Sequence, residues 1–310
     1  MKKAVIVMAT YNGEKYIREQ LESLINQSWK NISICIRDDG STDNTLSIIE
    51  EYKEKLDKSN NGIEINIIDN GGKNLGYPEC FYELLRKAKE ADYYFLCDQD
   101  DVWNNKKVEL MINRMEKEDS NKPLLCMSAF EYCNLELKHL KNSTKVTKDI
   151  EYMNVMYDLM EAFGFSLALN KELKNVILNH IPVTTGRKDW WILMTAAALG
   201  KVVYEDECLA KYRRHNEAVT FSNTTEGVLS KVGRRLKEFV VNDSNKVIVK
   251  SLKEFREVYD LELSDKDKKL LDTFTSNSFF SRFKKVFYPG RLRSSLKDEI
   301  AFRMLFLIKG

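Results

Sequence analysis

The first hundred residues alternate between short apolar runs and longer amphipathic segments. The runs AVIVMA, ISICIRD, IEINIID and YYFLCD are almost continuously apolar, which is typical of strands buried on both faces of a sheet. Between them, apolar residues recur at helical spacing, as Ile17, Leu21, Leu24 and Ile25 do. This alternation predicts right-handed βαβ units, and hence an α/β fold with a mostly parallel central sheet flanked by helices.

The rest of the chain is less regular. The runs LLCMSAF, FGFSLAL and KVVYED predict further strands, and residues 134–152 are polar enough to predict a loop. The segment KDWWILMTAAALG predicts a helix that ends at Gly200. Beyond residue 222 the pattern is helical throughout. We therefore predict one α/β domain over residues 1–222 and a helical C-terminal extension over residues 223–310.

Composition and charge narrow the class of protein. The 310 residues are 43% hydrophobic and 31% charged, which is typical of a folded globular protein. A net charge of +2 gives no reason to expect a nucleic-acid partner. Residues 279–310 are the exception, since they contain eight basic residues and two acidic ones among many apolar ones. Two hypotheses remain open for this tail: a peripheral contact with the membrane, or packing on the protein itself, including a homodimer contact.

The cysteines and the longest apolar stretches bear on location. Six cysteines occur without any C-x-x-C pair, and several lie inside apolar runs, as expected of small buried side chains in a reducing compartment. No signal peptide is recognisable, and no apolar stretch approaches the ~18 residues that a transmembrane helix needs. We expect a cytoplasmic protein, with the inner face of the cell membrane as the alternative that the basic tail leaves open.

Three carboxylates follow the fourth predicted strand: Asp98, Asp100 and Asp101. Like charges within a few ångströms resist joint ionisation unless a cation neutralises them. Carboxylate oxygens are the ligands that Mn²⁺ and Mg²⁺ prefer, so the cluster predicts a site for one of these ions beside substrate phosphates. The alternative is a polar turn in which one aspartate caps a helix over residues 104–118.

Polar residues also follow the other predicted strands. ATYNG comes after the first strand, DDGSTDNT after the second, and a loop with Asn74 and Gly76 after the third. Because open α/β sheets bind ligands at the carboxyl ends of their strands, we expect these segments to meet in one site. Tyr11 would stack on a base and the aspartates would accept hydrogen bonds, although a ring packed on a helix and a helix N-cap remain alternatives. The motifs of P-loop and dinucleotide-binding proteins are absent.

These segments resemble the family 2 glycosyltransferases of the GT-A fold, which use nucleotide-activated sugars. The resemblance covers roughly residues 3–220 and rests on VIVMATYNGEKYIREQLESLINQ, IRDDGSTDNT, NLG and FLCDQDDVW in this order. The segments GFSLALNKEL and KDWWILMTAAALGKVVYEDECLAKYRRH are similar to the bacterial rhamnosyltransferase-like branch. That branch commonly has H-D-W-W, where this chain has Lys188 in place of the histidine, and a cysteine where this chain has Phe165.

The resemblance implies roles for individual residues. It implies nucleotide and donor binding by Thr10, Tyr11, Asn12, Asp38, Asp39, Asn74, Gly76, Asp98 and Arg213, with Arg214 as an alternative to Arg213 for the phosphates. It implies metal binding by Asp100, and contact with the sugar or acceptor by Asp101, with Gly164 and Ser166 as further candidates. His215, just after a Tyr-Arg-Arg run, is a candidate for a further metal ligand or a diphosphate contact, with an ordinary polar contact as the alternative. Trp190 would stack on a sugar or belong to the core. Asp189 would be the catalytic base that removes the acceptor proton, and its alternative is a helix N-cap.

The function implied is an inverting, metal-dependent transfer of a sugar from a nucleoside-diphosphate donor, either dTDP-rhamnose or a UDP-hexose. The acceptor would be a hydroxyl of a growing cell-surface polysaccharide or of a lipid-linked glycan. The alternative is a non-catalytic subunit that binds a nucleotide sugar within a polysaccharide-assembly complex. The presence of both Asp100 and Asp189 favours the enzyme, because a scaffold needs neither.

Overall fold

The structure is a computed structural model that describes residues 2–59, 62–146, 149–214, 244–293 and 296–309. The chain divides into two compact units. The first comprises Met1–Asp149, Glu161–Ile181 and Gly200–Ala218, and the second comprises Ile150–Met160, Pro182–Leu199 and Val219–Gly310. The domain boundary that the sequence predicts between residues 222 and 223 lies outside the described residues.

The first unit is built on a mixed sheet. Its strands within the described ranges are β1 (Ala4–Thr10), β2 (Ile32–Asp38), β3 (Glu64–Ile67), β4 (Tyr93–Cys97), β5 (Val102–Trp103), β6 (Leu124–Cys133), β7 (His139–Asn142), β8 (Leu167–Asn170) and β9 (Lys201–Arg213). Their order is β3-β2-β1-β4-β8-β6-β9-β5, and β7 pairs with β6. Strands β3, β2, β1 and β4 are parallel, whereas β8 runs antiparallel to both β4 and β6.

The helices follow the predicted pattern closely. They are α1 (Ile17–Ile25), α2 (Thr45–Ser59), α3 (Glu79–Lys87), α4 (Lys107–Met115), α5 (Tyr152–Val155), α6 (Lys171–Asn179), α7 (Lys188–Leu199), α8 (Ser244–Val258), α9 (Asp265–Thr275), α10 (Phe279–Val286) and α11 (Leu296–Lys309). Helices α1, α2, α3, α4 and α6 belong to the first unit. Both faces of β1 are buried, as the continuous apolar run predicted.

Three segments differ from the sequence-based prediction. The strand predicted at KVVYED continues as β9 to Arg213, because β6 pairs with it through two register shifts past the exposed acidic stretch 205–207. The loop predicted over residues 134–152 contains the exposed strand β7, which closes a hairpin with β6. The strand predicted at FGFSLAL begins as a single 3₁₀ turn, Gly164–Ser166, before β8.

The second unit is helical and has an aromatic core. Tyr157 packs against Phe274, Phe302 and Phe306, with ring centroids 5.0–5.8 Å apart. Trp191 on α7 lies 5.3 Å from Phe255 on α8. Such ring pairs supply much buried apolar area in a small helical unit. None of the described helices combines the length and the apolar character needed to cross a bilayer.

Candidate active site

The loops after β1 and β2 are joined by buried polar side chains. The Thr10 hydroxyl donates to Asp38 Oδ1 at 2.8 Å, and both side chains are buried. Asp38 Oδ2 accepts from the Ser41 backbone N–H at 2.8 Å. Asn12, at a positive φ of 48°, accepts from the Thr42 N–H through its side-chain oxygen at 2.8 Å. These three predicted donor-binding residues therefore shape the strand-end loops, and their contact with a donor stays a prediction.

Gln99 joins the loop after β1 to the acidic loop after β4. Its side-chain oxygen accepts from the Tyr11 backbone N–H, and its amide donates to the Tyr11 carbonyl, both at 2.9 Å. A Cβ on Gly13 would lie 2.3 Å from Gln99 Oε1, so any larger residue at position 13 requires this amide to move. The Tyr11 ring is half-exposed, as a stacking surface for a base must be. Gln99 was not predicted as a site residue, although its position between the predicted ligand residues Asp98 and Asp100 was a signal.

Asp39 binds protein groups on every side. It forms a buried ion pair with Arg37, and its oxygens accept from the backbone N–H of Leu75 at 2.9 Å and of Gly76 at 2.6 Å. Gly76 has a φ of +70°, which glycine adopts without strain. Asn74 lies exposed in the same loop. Asp39 thus fixes the loop after β3, and its predicted contact with the base is untested.

The acidic loop contains one buried and two partly exposed carboxylates. Asp98 and Asp100 are partly exposed, whereas Asp101 is fully buried. Asp101 Oδ1 accepts from the Arg213 backbone N–H at 3.2 Å, and no described residue hydrogen-bonds to its Oδ2. Burial, followed by the charges of Asp100 and Asp98, raises the pKa of Asp101 well above 3.8. Burial thus favours the neutral form of Asp101, and Asp98 and Asp100 are the carboxylates that reach the surface at this strand end.

The capping alternative for this cluster is wrong. Helix α4 begins at Lys107, and its N-cap residue Lys106 makes no side-chain cap bond. The first-turn N–H of Val108 donates to Gln27 Oε1 at 3.1 Å, and not to an aspartate. The side chain of Lys107 is instead buried, and its Nζ donates to the Ser128 hydroxyl at 3.2 Å and lies 4.8 Å from the centre of the Trp103 ring. Burial lowers the pKa of Lys107 to about 8. The aspartates are thus available for a role other than helix capping.

Arg213 anchors the acidic loop from the end of β9. Its Nε donates to the Asp100 carbonyl at 3.0 Å, one terminal nitrogen donates to the Leu135 carbonyl, and the other forms an ion pair with Glu19. The guanidinium is buried and lies 5.0 Å from the centre of the Tyr16 ring. Since its fork is occupied by protein groups, Arg213 supports the loop in this structure, and the predicted phosphate contact is untested. Arg214 is the more exposed of the two arginines.

The residues present fit a divalent cation shared with a diphosphate. Within the described ranges, no three His, Cys, Asp or Glu residues lie close enough together to hold a metal ion by themselves. His215, which was predicted as a metal ligand together with Asp100, lies outside those ranges. Mg²⁺ at phosphate sites usually needs only one or two carboxylates, with substrate oxygens and water completing its shell. Asp98 and Asp100, beside the unpartnered oxygen of Asp101, supply such a donor set.

Gly164 and Ser166 form the buried 3₁₀ turn before β8. The Ser166 hydroxyl donates to the Phe163 carbonyl at 2.7 Å, which leaves it inside the turn. Phe165, between them, stacks on Tyr212 of β9 at 5.0 Å. The Phe165 ring therefore serves as core packing. Contact of this turn with a sugar is untested.

Asp189 and Trp190 belong to the second unit. Asp189 lies in the first turn of α7 and forms an ion pair with the buried Lys188. Trp190 is buried, and its indole N–H donates to the Val155 carbonyl at 2.8 Å. Ahead of the helix, the Glu254 carboxylate accepts from two backbone N–H groups, those of residues 183 and 184. The first turn of α7 is thus fixed on both sides, and the roles of Asp189 and Trp190 remain predictions.

Comparisons with known proteins agree with this arrangement. Residues 5–182 match the family described as "Glycosyl transferase family 2". Over 116 residues, the chain is 40% identical to the dTDP-rhamnosyl transferase RfbG of Shigella flexneri, a stretch that covers 37% of this chain and 38% of that protein. Over 292 residues, it is 27% identical to an "Uncharacterized glycosyltransferase" of Haemophilus influenzae, covering 89% of this chain and 85% of that one.

Solved structures share the fold. The Staphylococcus aureus TarS fragment 1-349, solved with UDP-GlcNAc, matches with a TM-score of 0.58 and 18% identity over 97% of this chain and 78% of that one. The mannosyltransferase PcManGT of Pyrobaculum calidifontis, solved with GDP-Man and Mn²⁺, matches with a TM-score of 0.52 and 14% identity over 99% and 74%. The α/β GT-A fold predicted from the sequence is confirmed. Because the family match spans more than half of the chain, the protein belongs to glycosyl transferase family 2.

Proposed function

We propose that the protein transfers a sugar, with inversion, from a nucleoside-diphosphate donor to a hydroxyl of a growing cell-surface polysaccharide or of a lipid-linked glycan. The observation that carries this proposal is the bonding of Gln99, in the middle of the acidic loop, to the backbone of Tyr11. One side chain thereby brings a half-exposed aromatic ring and a group of carboxylates to the same edge of the sheet. A base and a diphosphate are the two ends of a nucleotide that such an edge would receive.

The donor is a dTDP-rhamnose or a UDP-hexose. The first is supported by the name of the Shigella relative, a dTDP-rhamnosyl transferase, and the second by the UDP-GlcNAc bound to the TarS fragment. Both donors contain a pyrimidine base, which would stack on Tyr11. Asp98 would contact the ribose or the diphosphate, and Arg214, at the end of β9, would donate to phosphate oxygens.

Mn²⁺ or Mg²⁺ would be held by Asp100, with Asp98 close by and donor phosphates completing its ligands. When bound, such an ion stabilises the negative charge that develops on the departing nucleoside diphosphate. Asp101 stabilises the end of the acidic loop, because its side chain is buried and accepts a hydrogen bond from the Arg213 N–H. Arg213 in turn holds the backbone of the loop at Asp100, through the bond from its Nε to the Asp100 carbonyl.

Asp189 would take the proton from the acceptor hydroxyl as it attacks the sugar. Inversion requires a base on the face opposite the leaving group, and a carboxylate at a helix N-terminus is well suited to that role. The Lys188 contact and the Glu254 anchor of the preceding loop restrict the positions that the Asp189 side chain can adopt. A restricted base loses less freedom when the acceptor binds.

We place the enzyme in the cytoplasm. None of the six cysteines forms a disulfide, and all except the partly buried Cys208 are buried. Cysteines without disulfides are typical of proteins kept in a reducing compartment, which supports this location.

Donor turnover is the direct test. Purified protein is incubated with a panel of nucleoside-diphosphate sugars, with and without Mn²⁺, and release of the nucleoside diphosphate is measured. We expect one dTDP or UDP sugar to be turned over only with the metal. Asp189→Asn should lower kcat by roughly a hundredfold or more, while donor affinity is kept, because general base catalysis contributes about that factor.

Asp272→Asn is the matched control, since Asp272 is an exposed carboxylate of the same unit, paired with Arg256. It should leave turnover unchanged. Full activity of Asp189→Asn would remove Asp189 from the role of base. If the wild-type protein binds a donor but releases no nucleoside diphosphate from it, whichever acceptor preparation is added, the protein is a non-catalytic binding subunit instead.

A further inference from the structure

Helix α10 has an inverted distribution of polar and apolar side chains. It buries Ser281 and Lys285, which are 5% and 1% exposed. Four phenylalanines of the helix and its C-cap are exposed instead: Phe279 (68%), Phe280 (77%), Phe283 (44%) and Phe287 (78%). In soluble proteins phenylalanine is usually buried and lysine is almost never fully buried. Internal packing therefore does not account for the orientation of this helix.

The four phenylalanines form one surface, which we call the phenylalanine face. Phe279, Phe283 and Phe287 follow one another at intervals of four residues, the spacing that aligns side chains along a helix. The Phe279 ring lies 5.1 Å from Phe283 and 5.9 Å from Phe280, edge-on in both cases. The rings thus already contact one another without a partner. Clustered exposed apolar side chains of this kind indicate an interaction site.

Basic residues lie close to the phenylalanine face in the sequence. Residues 279–293 contain five lysines and arginines and no acidic residue. Lys284 is exposed next to Phe283. The buried Lys285 adds to the positive potential, although burial, reinforced by the charge of Arg282, lowers its pKa to about 8. A partner for this surface should therefore be apolar beneath an anionic layer.

A second copy of the chain fits this surface poorly. Pairing two phenylalanine faces would bring the exposed Lys284 of both copies to one interface, and residues 279–293 contain no acidic residue to pair with it; like charges in an interface are unfavourable. A bilayer with anionic headgroups has the complementary structure, because aromatic rings enter the boundary with the acyl chains while lysines remain among the headgroups.

Helix α11 supports α10 and adds apolar surface. The Arg303 guanidinium donates to the Val286 carbonyl at 2.8 Å and to the Tyr288 carbonyl at 2.7 Å, which ties the end of α10 to α11. On α11 itself, Ile300 and Met304 are exposed at helical spacing. Helices α10 and α11 are thus joined by hydrogen bonds, and α11 stabilises the phenylalanine face.

We propose that the phenylalanine face, together with Lys284, docks the protein onto an anionic lipid surface. The docking is peripheral, since the rings enter only the boundary region of the bilayer. The inference goes beyond sugar transfer and does not depend on it, because lipid binding is measured without any donor.

Vesicle co-sedimentation tests the proposal with the full chain. Vesicles of equal parts phosphatidylglycerol and phosphatidylcholine should bind the protein, and vesicles of phosphatidylcholine alone should bind it much more weakly. Replacing all four phenylalanines by serine should lower the partition coefficient on the order of a hundredfold, because each ring loses its apolar transfer. Lys284→Glu should lower it by roughly tenfold or more and should weaken the salt dependence.

Leu261→Ser is the matched control, since Leu261 is 91% exposed in the same unit but lies outside the face. It should bind anionic vesicles like the wild type. Thermal unfolding shows whether the fourfold variant is folded. If it is not, Lys284→Glu still tests the proposal, because it changes only an exposed side chain. The proposal would be overturned if the wild type did not bind anionic vesicles, or if both variants bound them as well as the wild type does. It would also be overturned if the wild type were a dimer that the fourfold variant converts into a monomer with no change in lipid binding.

Discussion

Replacing Arg213 with methionine should destabilise the protein even in the absence of a donor. The buried guanidinium links the end of β9 to the Asp100 carbonyl, to the Leu135 carbonyl and to Glu19. Methionine retains much of the side-chain volume but supplies no N–H donor. The substitution therefore tests whether Arg213 supports the acidic loop or is kept for the donor.

The magnitude follows from the groups that lose a partner. The carbonyls of Asp100 and Leu135 each lose a donor, at a cost of about 1–3 kcal/mol apiece when they stay buried. Glu19 is 54% exposed and regains water, so we assign no loss to that ion pair. Because carbonyl oxygens can rehydrate partly at the loop, we expect the free energy of unfolding to fall by about 2–4 kcal/mol.

Urea denaturation of the donor-free protein, followed by tryptophan fluorescence, measures this change. Arg18→Met is the matched control, since Arg18 forms an exposed ion pair with Glu51 and the change should leave stability essentially as in the wild type. Titration calorimetry with the donor completes the comparison. If Arg213→Met keeps wild-type stability and loses only donor affinity, then Arg213 binds phosphate directly and our account of the loop is wrong.

Three further changes probe other parts of the structure. Asp39→Asn should cost about 3–5 kcal/mol in urea denaturation, because it leaves the buried Arg37 without its anion; no loss would mean that the pair is not formed. Lys107→Met should remove one pH dependence of the free energy of unfolding. The lysine has a pKa of 10.5 in the unfolded chain and about 8 in the folded one, so between these values the unfolded chain binds the proton and the folded one does not. In that window the free energy of unfolding of the wild type should therefore rise relative to the variant by up to about 1.4 kcal/mol per pH unit. Parallel stability curves between pH 8 and 10 would contradict this. Gly200→Ala should lower the melting temperature strongly, since its Cβ would lie 1.8 Å from the Pro123 carbonyl oxygen, and a wild-type value would refute the packing.

The parallel half of the sheet and its ligand edge were predictable from the sequence. Continuous apolar runs indicate buried strands, and the rule that ligands bind at carboxyl ends drew attention to Thr10, Asp38 and Asp98. Both signals are local, since each can be found within about ten residues. This is why the strand positions in the first hundred residues agree with the structure.

The partners of the site residues were harder to predict, because they depend on contacts between distant segments. Arg213 reaches the acidic loop only because β9 continues past an exposed acidic stretch and pairs with β6 through register shifts. No local pattern indicates such a pairing. The Arg37–Asp39 pair is different, since Arg37 lies at the end of β2 and Asp39 is the first residue after it, and this short spacing in the sequence could have predicted the pair.

The amide of Gln99 fills the space that a side chain at position 13 would need. The two positions are therefore mutationally coupled: an alanine at 13 requires the Gln99 amide to move or residue 99 to be shortened, and either change releases the backbone of Tyr11. Homologues that lack the glycine should carry a small residue at the second position and secure the aromatic loop by another contact. Directed libraries around this site should vary both codons together.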